Sequence, residues 1–552
     1  MRKSRKIASL AGVTAGALLL ASCSGGGSGG DGDGEVEKKP LSIHANSTNT
    51  YQRNFNPYSP NLLHGTSSFI YEPLIISTPM QVEDSVPWLA ESLEFNDDGT
   101  VATFELRDGV EWSDGEDFTA DDVAFTFNMM EEHPATNAAA LPITEAEATD
   151  DLTVEVTFEE PQFAYEQAIG NTVIVPEHIW EDIDDPVETT NEDPVGTGPF
   201  VLDEFSSQLY TMVENENYWN ADAIEVEEVR YPANTSETFN TALQSGELDW
   251  SGGFVPSVED IFVSHDPENR GFWYPGGGAV NLTVNNEEEI FEDVELKEAM
   301  SLGMDREQIV ENAMQGYTIP SHPTALPLPA YEDMIADEYQ DSTLEYDPDK
   351  ANQILDDAGY EMGEDGVRVS PDGDPLSWDL EIPSSYADWV DVSQLLVEQY
   401  EEIGIELTPQ GVSFESWVDS RNAGDFKVTM AAVAIGQTPF DMYKDMMSSE
   451  YEVDSGSVIS NFGRFYSDDA DAALKAFATT DDEQEQQQAV EDMQQVMVEE
   501  FPAIPIFQSP NWFQFNTANW EGFPNEDDPY ALGAPFQSPD ILLVLQNLTP
   551  AS

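Results

Sequence analysis

The sequence predicts a mixed α/β protein built from more than one compact unit, on three observations. The chain has 552 residues, which exceeds an ordinary single domain, so two or three compact units are expected. Apolar residues make up 40% of the chain and aromatic residues 11%, enough to fill sizeable cores. Segments with strand patterns alternate with segments with helix patterns, and this alternation is typical of layered α/β folds.

Three segments in the first third of the chain illustrate this alternation. VATFELRDGVEW (101–112) predicts a β-hairpin that turns at Arg-Asp-Gly. FTADDVAFTFNMM (118–130) predicts a helix, because Thr119 is a good N-cap and Asp122 follows at capping-box spacing. DLTVEVTF (151–158) alternates apolar and polar residues as a half-buried strand does.

Two segments further along predict helices with defined ends. DPDKANQILDDAG (347–359) places Asp347 as the cap, proline at the first helical position and Gly359 just past the end. YADWVDVSQLLVEQYEEIGIELT (386–408) predicts a helix, a stop at Gly404 and a strand. Helices and strands therefore continue to alternate in the second half.

The charge of the chain is extreme, with 19 Lys and Arg against 109 Asp and Glu, a formal net charge of −90. A folded chain of this mass exposes about 20,000 Å², or roughly one net negative charge per 220 Å². Such self-repulsion is tolerable where salt shortens the Debye length to about 3 Å. The composition indicates a saline medium, since an ordinary acidic secreted protein would explain the sign but not the size. It also argues against nucleic acid as a partner.

The N-terminus predicts an export signal over residues 1–22. MRKSRK (1–6) is basic, and the apolar run at 7–21 has the length of a signal-peptide core rather than a membrane span. LASC (20–23) resembles a bacterial lipobox, so Cys23 is the expected site of lipidation.

Residues 23–40 are expected to form the lipidated cysteine and a flexible tether, because SGGGSGGDGDGEVEKKP is rich in Gly, Ser and charge. Cys23 is the single cysteine, so no intrachain disulfide can form. No later segment approaches the length of a membrane span. The expected location is the outer face of the cytoplasmic membrane, held by the lipid anchor only.

The usual catalytic and metal-binding motifs are missing from the sequence, which contains no HExxH, no GxSxG nucleophile elbow and no Walker-type motif. No enzyme activity, metal or cofactor is therefore expected. A cell-surface glycosidase stays open as an alternative, because 109 acids make any carboxylate pair available. No two histidines have metal-ligand spacing; they are His44, His64, His133, His178, His265 and His322.

Several longer segments resemble the dipeptide/oligopeptide-binding family (family 5) of extracytoplasmic solute-binding proteins of ABC importers. FELRDGVEWSDGEDFTADDVAFTF (104–127) carries the most specific resemblance, followed by VGTGPF (195–200). The helix pair in 293–323, around an Asp-Arg turn, is also similar. Further matching segments are VPEHIW (175–180), ENENYW (214–219), LQSGELDW (243–250), DPDKANQILDDAGY (347–360) and FPAIPIF (501–507).

The resemblance implies a two-lobed, periplasmic-binding-protein-like fold of type II, in the large class with an extra subdomain. Lobe I would comprise 41–284 plus 505–552, with the subdomain at about 74–194, and lobe II would comprise 285–504. A ligand would bind in the cleft between the lobes and be enclosed by hinge closure. The implied partners are an ABC permease, its ATPase and a small ligand, and the expected state is a monomer.

The resemblance also bears on the ligand. Peptide-binding members often carry a WxxDxPDP-like segment, but the matching stretch 426–446 reads IGQTPF there, with Asp441 nearby. An oligosaccharide such as a β-glucoside, cello- or manno-oligosaccharide is therefore expected, with an oligopeptide as the alternative. The segments similar to the oligosaccharide-binding branch are 49–60, 254–286, 385–392, 522–535 and 541–550.

Seven residues are the candidates for ligand contact, because aromatic faces and small polar groups bind neutral sugars. They are Trp250, Trp273, Tyr274, Asp388, Trp389, Gln437 and Trp512. Each has a structural alternative: Trp250 and Trp512 could pack a core, and Asp388 could cap the helix that follows it.

The stretch RGFWYPGGG (270–278) falls where the resemblance places the first crossover between lobes. In an extended chain Trp273 and Tyr274 point to opposite faces, so one of them at most is expected to face the ligand. The three glycines would let the backbone approach closely or flex near a hinge.

Overall fold

The computed structural model describes residues 38–80, 85–436, 438–453, 456–480 and 482–551. The predicted signal peptide, Cys23 and Gln437 lie outside the described residues, as does most of the predicted tether.

One sheet, the seven-stranded sheet, joins strands from both ends of the chain. Its central strand, Leu41–His44, runs parallel to both of its neighbours. Leu41 and Ile43 are fully buried, as expected for a strand in the middle of a covered sheet. In spatial order the strands are Arg270–Phe272, Gln514–Asn516, Trp250–Ser251, Leu41–His44, Glu228–Pro232, Leu209–Glu214 and Phe200–Ser206.

A second, four-stranded sheet is antiparallel and carries the helix Ala120–Glu132 on one face. The predicted helix start is confirmed, since Thr119 and Asp122 form a capping box. The strand order is Ala90–Phe95, Val101–Leu106, Thr153–Phe158 and Ile143–Asp150.

The hairpin predicted within 101–112 is wrong. Val101–Leu106 pairs with Ala90–Phe95 on one edge and with Thr153–Phe158 on the other. Both edges of the strand are thus occupied by other partners, so the residues after the Asp-Gly turn cannot return along it. They form a single bridge, between Glu111 and Asp117.

The five-stranded sheet forms the centre of the other half of the molecule. Helix Ala387–Glu401 follows the strand Ser377–Pro383 and leads into the parallel strand Glu406–Val412, confirming the predicted helix, stop and strand. Gly404 supplies the left-handed turn between helix and strand. The strand order is Glu406–Val412, Ser377–Pro383, Val428–Ala434, Gly276–Val284 and Ile504–Pro510.

The remaining elements are helices and two-stranded ribbons. The helix predicted at 347–359 runs over Pro348–Asp357, and the Asp347 side chain accepts from the backbone N–H of Lys350. The other helices are Glu166–Gly170, Glu177–Trp180, Ser236–Ser245, Val258–Ile261, Val294–Leu302, Arg306–Asn312, Phe414–Ala423, Pro439–Met447, Asp468–Ala478, Glu483–Glu500 and Asp540–Asn547. The ribbons pair Ile75–Ile76 with Val86–Pro87, Glu361–Met362 with Arg368–Val369, and Trp520–Glu521 with Thr549–Pro550.

The fold is a two-lobed α/β architecture. Lobe I is used below for the part built on the seven-stranded and four-stranded sheets, and lobe II for the part built on the five-stranded sheet. The three helices between 439 and 500 share a hydrophobic core with lobe I residues. In that core the ring of Phe440 lies 5.1 Å from the ring of Tyr165, and the ammonium of Lys444 donates to the carbonyl of Ala139 at 2.5 Å.

The chain passes twice between the seven-stranded and the five-stranded sheet, and these two crossovers are short. It leaves the seven-stranded sheet at Phe272 and enters the five-stranded sheet at Gly276. It returns between Pro510 and Gln514. Glycine is required at 278, in the strand just after the first crossover, because its φ is 128° and a Cβ there would lie 1.9 Å from the backbone carbonyl oxygen of Val433.

A buried carboxyl joins separate segments of lobe I. Glu72 is fully buried and accepts from the indole of Trp88 at 2.6 Å, the hydroxyl of Tyr218 at 3.0 Å and the indole of Trp219 at 3.2 Å. Burial raises its pKa to about 7, against the lowering effect of these donors. Its partners come from separate segments, so this residue holds those segments together.

Candidate functional site

The two crossovers run side by side between the lobes. The backbone N–H of Trp273 donates to the carbonyl of Phe513 at 3.0 Å, and that of Asn511 donates to the carbonyl of Pro275 at 2.8 Å. Side chains from both crossovers therefore meet at the boundary between the two sheets. The carboxyl ends of parallel strands at such a boundary are a frequent location for ligand sites.

Four aromatic residues, the seam cluster, pack together at this boundary. The ring of Trp512 lies 4.8 Å from Tyr274 and 5.3 Å from Phe254, both nearly edge to face. Tyr317 packs against Tyr274 at 5.5 Å. Edge-to-face contacts of this kind fix ring orientation and contribute about 0.5–1.5 kcal/mol each.

One amide orients the hydroxyl end of the seam cluster. The Gln514 side chain donates to the Tyr274 hydroxyl at 2.8 Å and to the carbonyl of Gly253 at 2.9 Å. Burial raises the pKa of Tyr274, so its hydroxyl stays protonated in ordinary buffers. The phenol can therefore donate a hydrogen bond as well as accept the one from Gln514.

Asp388 connects the seam cluster to lobe II. Asp388 is 5% exposed, and the indole of Trp512 and the backbone N–H groups of Asp388 and Trp389 act on its carboxyl group so as to lower its pKa. Burial raises its pKa to about 6, although these donors oppose the shift. The carboxylate thus interacts with its own helix N-terminus and with an aromatic residue of the crossover.

Trp389 belongs to a second aromatic group, at the start of the same helix. Its ring lies 5.3 Å from Tyr386 and 5.8 Å from Trp417, and it is buried in the lobe II core. The guanidinium of Arg421 stacks over Trp417 at 4.5 Å. This packing fixes the helix end that presents Asp388.

A histidine on the lobe I side of the boundary was not selected from the sequence. His44 ends the central strand of the seven-stranded sheet, and its ring stacks on Phe239 at 4.1 Å. Burial, with the nearby His64, lowers its pKa to about 3, so the ring is neutral at physiological pH. Phe239 in turn packs against Gly253, next to the seam cluster.

Other neutral polar groups lie on both sides of the boundary. Ser236 donates to the carbonyl of Ser385 at 2.9 Å, which places the start of helix Ser236–Ser245 against lobe II. Several buried atoms in this region have no hydrogen-bond partner among the described residues: both ring nitrogens of His44, Asn240 Oδ1, Ser385 Oγ and Asn511 Nδ2. Such groups are costly unless something else satisfies them. A pattern of spaced Asn, Ser and His gives no signal in the sequence, so these residues could not have been selected from it.

The predicted candidates divide by location. Tyr274, Asp388 and Trp512 lie together, and Trp389 is the residue after Asp388 in the same helix. Trp250 is fully buried in lobe I, where its indole donates to the carbonyl of Gly533 at 2.6 Å and its ring lies 6.1 Å from Phe523.

Trp273 and Tyr274 pack into different clusters, in agreement with the alternation of an extended chain. Trp273 is half-buried against the lobe I core, whereas Tyr274 belongs to the seam cluster. The roles of all these side chains in ligand contact stay predictions.

In the described ranges, no group of three or more His, Cys, Asp or Glu side chains is arranged to hold a metal ion. Within the same ranges, no helix combines the length and apolarity needed to cross a bilayer.

Two α/β lobes with paired crossovers and an aromatic boundary define the class of two-lobed extracytoplasmic binding proteins. Residues 84–455 match the model described as bacterial extracellular solute-binding proteins, family 5 middle. This chain belongs to that family. It is therefore a substrate-binding protein of an ABC importer, and the family implies a permease, an ATPase and a small ligand as partners.

Relatives and solved structures span nearly the whole chain. Heme-binding protein A of Haemophilus influenzae is 27% identical over 534 residues, covering 90% of this chain and 93% of the relative. A periplasmic oligopeptide-binding protein of Thermotoga maritima, solved with mannohexaose bound, superposes with a TM-score of 0.85 at 25% identity, covering 93% and 99% of the two chains. AppA of Bacillus subtilis, solved with a nonapeptide, superposes at 0.78 with 20% identity over 93% and 99%, which shows the shared fold.

Proposed function

We propose that this protein is a lipid-anchored receptor that delivers an oligosaccharide to its ABC importer, with a cello-, manno- or other β-linked oligosaccharide as the ligand class. The observation that carries the proposal is the composition of the boundary site. The seam cluster provides aromatic faces, and the neighbouring unpartnered atoms belong to neutral His, Asn and Ser side chains. Sugars present C–H faces and hydroxyl groups to such surfaces.

The charge of the site supports a neutral ligand. The seam cluster contains no Lys or Arg, and the cation described above, Arg421, already stacks over Trp417 and Phe462 and donates to Asn422 Oδ1. A zwitterionic peptide needs a cation for its carboxylate, whereas a sugar needs none. The mannohexaose complex of the Thermotoga maritima relative is consistent with this reasoning. An oligopeptide stays the alternative, since Asp388 could hold an α-amino group and AppA binds a nonapeptide.

Direct titration tests the ligand class. We expect calorimetry to give saturable binding of one cello- or manno-oligosaccharide, with quenched or shifted tryptophan fluorescence, and no heat from di- to pentapeptides. Binding of peptides alone would overturn the oligosaccharide proposal and favour the alternative. Turnover of a chromogenic glycoside would contradict both and restore the enzyme hypothesis. All titrations should be done at high salt, where this acidic chain is expected to be folded.

The titration of Asp388 predicts a pH dependence of ligand affinity. When ionised, its two carboxylate oxygens accept strong hydroxyl hydrogen bonds, whereas protonation leaves a weaker acceptor and adds an O–H donor; its pKa lies at about 6. We expect affinity to be constant above pH 7 and to fall below pH 6, by at most about tenfold per unit. Asp388→Asn should flatten this profile.

Unfolding through Asp388 would not explain the loss of ligand affinity below pH 6, because the pKa of this residue is raised on folding. A carboxyl whose pKa is raised on folding favours the native state when protonated, so acidification through pH 6 stabilises the fold through this group. Calorimetry from pH 5 to 8 measures the affinity, and melting curves at each pH measure the stability of the fold. A flat affinity profile for the unmodified protein would contradict the prediction.

A further inference from the structure

A cavity lies in lobe II, apart from the boundary between the lobes. It has a volume of about 330 Å³ and shares no lining residue with the seam cluster. It opens beside the N-terminal end of helix Val294–Leu302, and Lys297 of that helix lines it. This volume is at the lower end of ligand pockets, so an occupant would be a small molecule about the size of an amino acid.

Lys297 is a buried cation with little to balance it. Its side chain is 2% exposed, its ammonium donates to Asn286 Oδ1 at 3.1 Å, and it lies 5.5 Å from the ring of Phe465. It forms no ion pair with a carboxylate of the described ranges, in which Glu500 and Asp293 act on it only at longer range. Two of its three N–H bonds therefore have no assigned acceptor, and burying such a charge is costly.

The other cation at the cavity is already occupied. Arg464 pairs with Glu287 at 3.3 Å and donates to the backbone carbonyls of Arg421 and Asn422. Lys297 is thus the cation available to an occupant. A carboxylate would meet both its charge and its unused donors.

The rest of the lining disfavours a simple anion. Glu287, Glu292 and Glu500 also line the cavity, so three acids accompany the two cations. A small anion would be repelled by the acids, and a small cation would leave Lys297 unpaired. Phe465 and Tyr466 add aromatic faces, which attract ammonium groups.

We propose that this cavity binds a small zwitterion, with its carboxylate at Lys297 and its ammonium facing the acids and aromatic rings. The site is separate from the boundary between the lobes, so the proposal does not depend on which ligand the importer carries. It assigns to lobe II a second ligand that could be bound whether or not the cleft is occupied.

Equilibrium dialysis with radiolabelled glycine betaine at fixed high salt tests the proposal. We expect one saturable site per chain, weakened at least tenfold by Lys297→Gln, which can keep the hydrogen bond to Asn286 but removes the charge. Glu292→Gln, at a side chain that forms no hydrogen bond or ion pair with the described residues, should weaken binding without risk to the core. Trp512→Ala should leave it unchanged. Absence of saturable uptake, or equal uptake by Lys297→Gln, would overturn the proposal.

Competition and pH give two further readouts. Unlabelled acetate and tetramethylammonium should each displace the probe far less well than unlabelled glycine betaine. Displacement by acetate as effective as by betaine would mean a simple anion site and overturn the zwitterion assignment.

Burial lowers the pKa of Lys297 to about 8, although the charges of Glu500 and Asp293 raise it. Glu287, Glu292 and Arg464 are the other charged groups at the cavity, and affinity should fall above pH 8. Affinity that persists to pH 10 would contradict a role for the ammonium.

Discussion

Trp512→Ala is expected to weaken ligand binding at the boundary site by about 30-fold or more. A buried aromatic residue at the centre of a binding site typically contributes about 2 kcal/mol or more, which corresponds to that factor. Trp512 contacts Tyr274 and Phe254 in the seam cluster, and its indole lowers the pKa of Asp388 across the boundary. Its removal takes away an aromatic face and releases the orientation of the two neighbouring groups. Calorimetric titration with the best oligosaccharide measures the effect.

Two matched variants separate the contributions. Trp512→Phe keeps an aromatic ring but removes the indole N–H, so it should recover most of the affinity if stacking dominates. Tyr346→Ala removes an aromatic side chain that is 39% exposed in lobe II, outside the seam cluster, and should bind as the unmodified protein does. Normal affinity in a correctly folded Trp512→Ala protein would remove this residue from the site.

Tyr274 and Trp273 offer a further comparison within the same crossover. Because Tyr274 lies in the seam cluster and Trp273 packs against the lobe I core, Tyr274→Ala should lower affinity. Trp273→Ala should lower the melting temperature and leave the affinity for the ligand nearly unchanged. The reverse pattern would assign the ligand-facing role to Trp273.

The second large effect is expected from salt. The melting temperature should rise steeply between dilute buffer and about 1 M salt, because the net charge of −90 repels itself until the Debye length falls to about 3 Å. The same screening weakens favourable ion pairs such as Lys475 with Glu160. A net rise therefore measures how far repulsion among the unpaired acids outweighs those pairs.

Melting curves in NaCl and KCl, compared with sucrose, check the salt prediction. Sucrose stabilises proteins by exclusion from their surface but does not screen charge. The two chlorides should have similar and much larger effects than sucrose. A melting temperature that is independent of salt would contradict the interpretation of the composition as an adaptation to a saline medium.

Local structure was predictable where neighbouring residues decide it. The capping box at Thr119, the cap at Asp347 and the stop at Gly404 all form as expected, since each depends on a few residues along the chain. The hairpin at 101–112 failed because distant strands occupy both edges of Val101–Leu106. Strand pairing depends on competition among all strands of the chain, so turn residues alone do not predict which strands pair.

The sequence by itself determined the class of the protein, since its motifs and its alternation of helices and strands indicated a two-lobed binding protein. It also selected aromatic residues suited to sugar. Only the tertiary structure decided which of them meet: Gln514 and Tyr274 are 240 positions apart yet hydrogen-bonded, while Trp250 is enclosed in lobe I. Burial and contact are properties of the folded chain, so the sequence does not distinguish a tryptophan in a core from a tryptophan at a binding site. The unpartnered side chains of His44, Asn240 and Ser385 could be recognised only after folding had removed them from water.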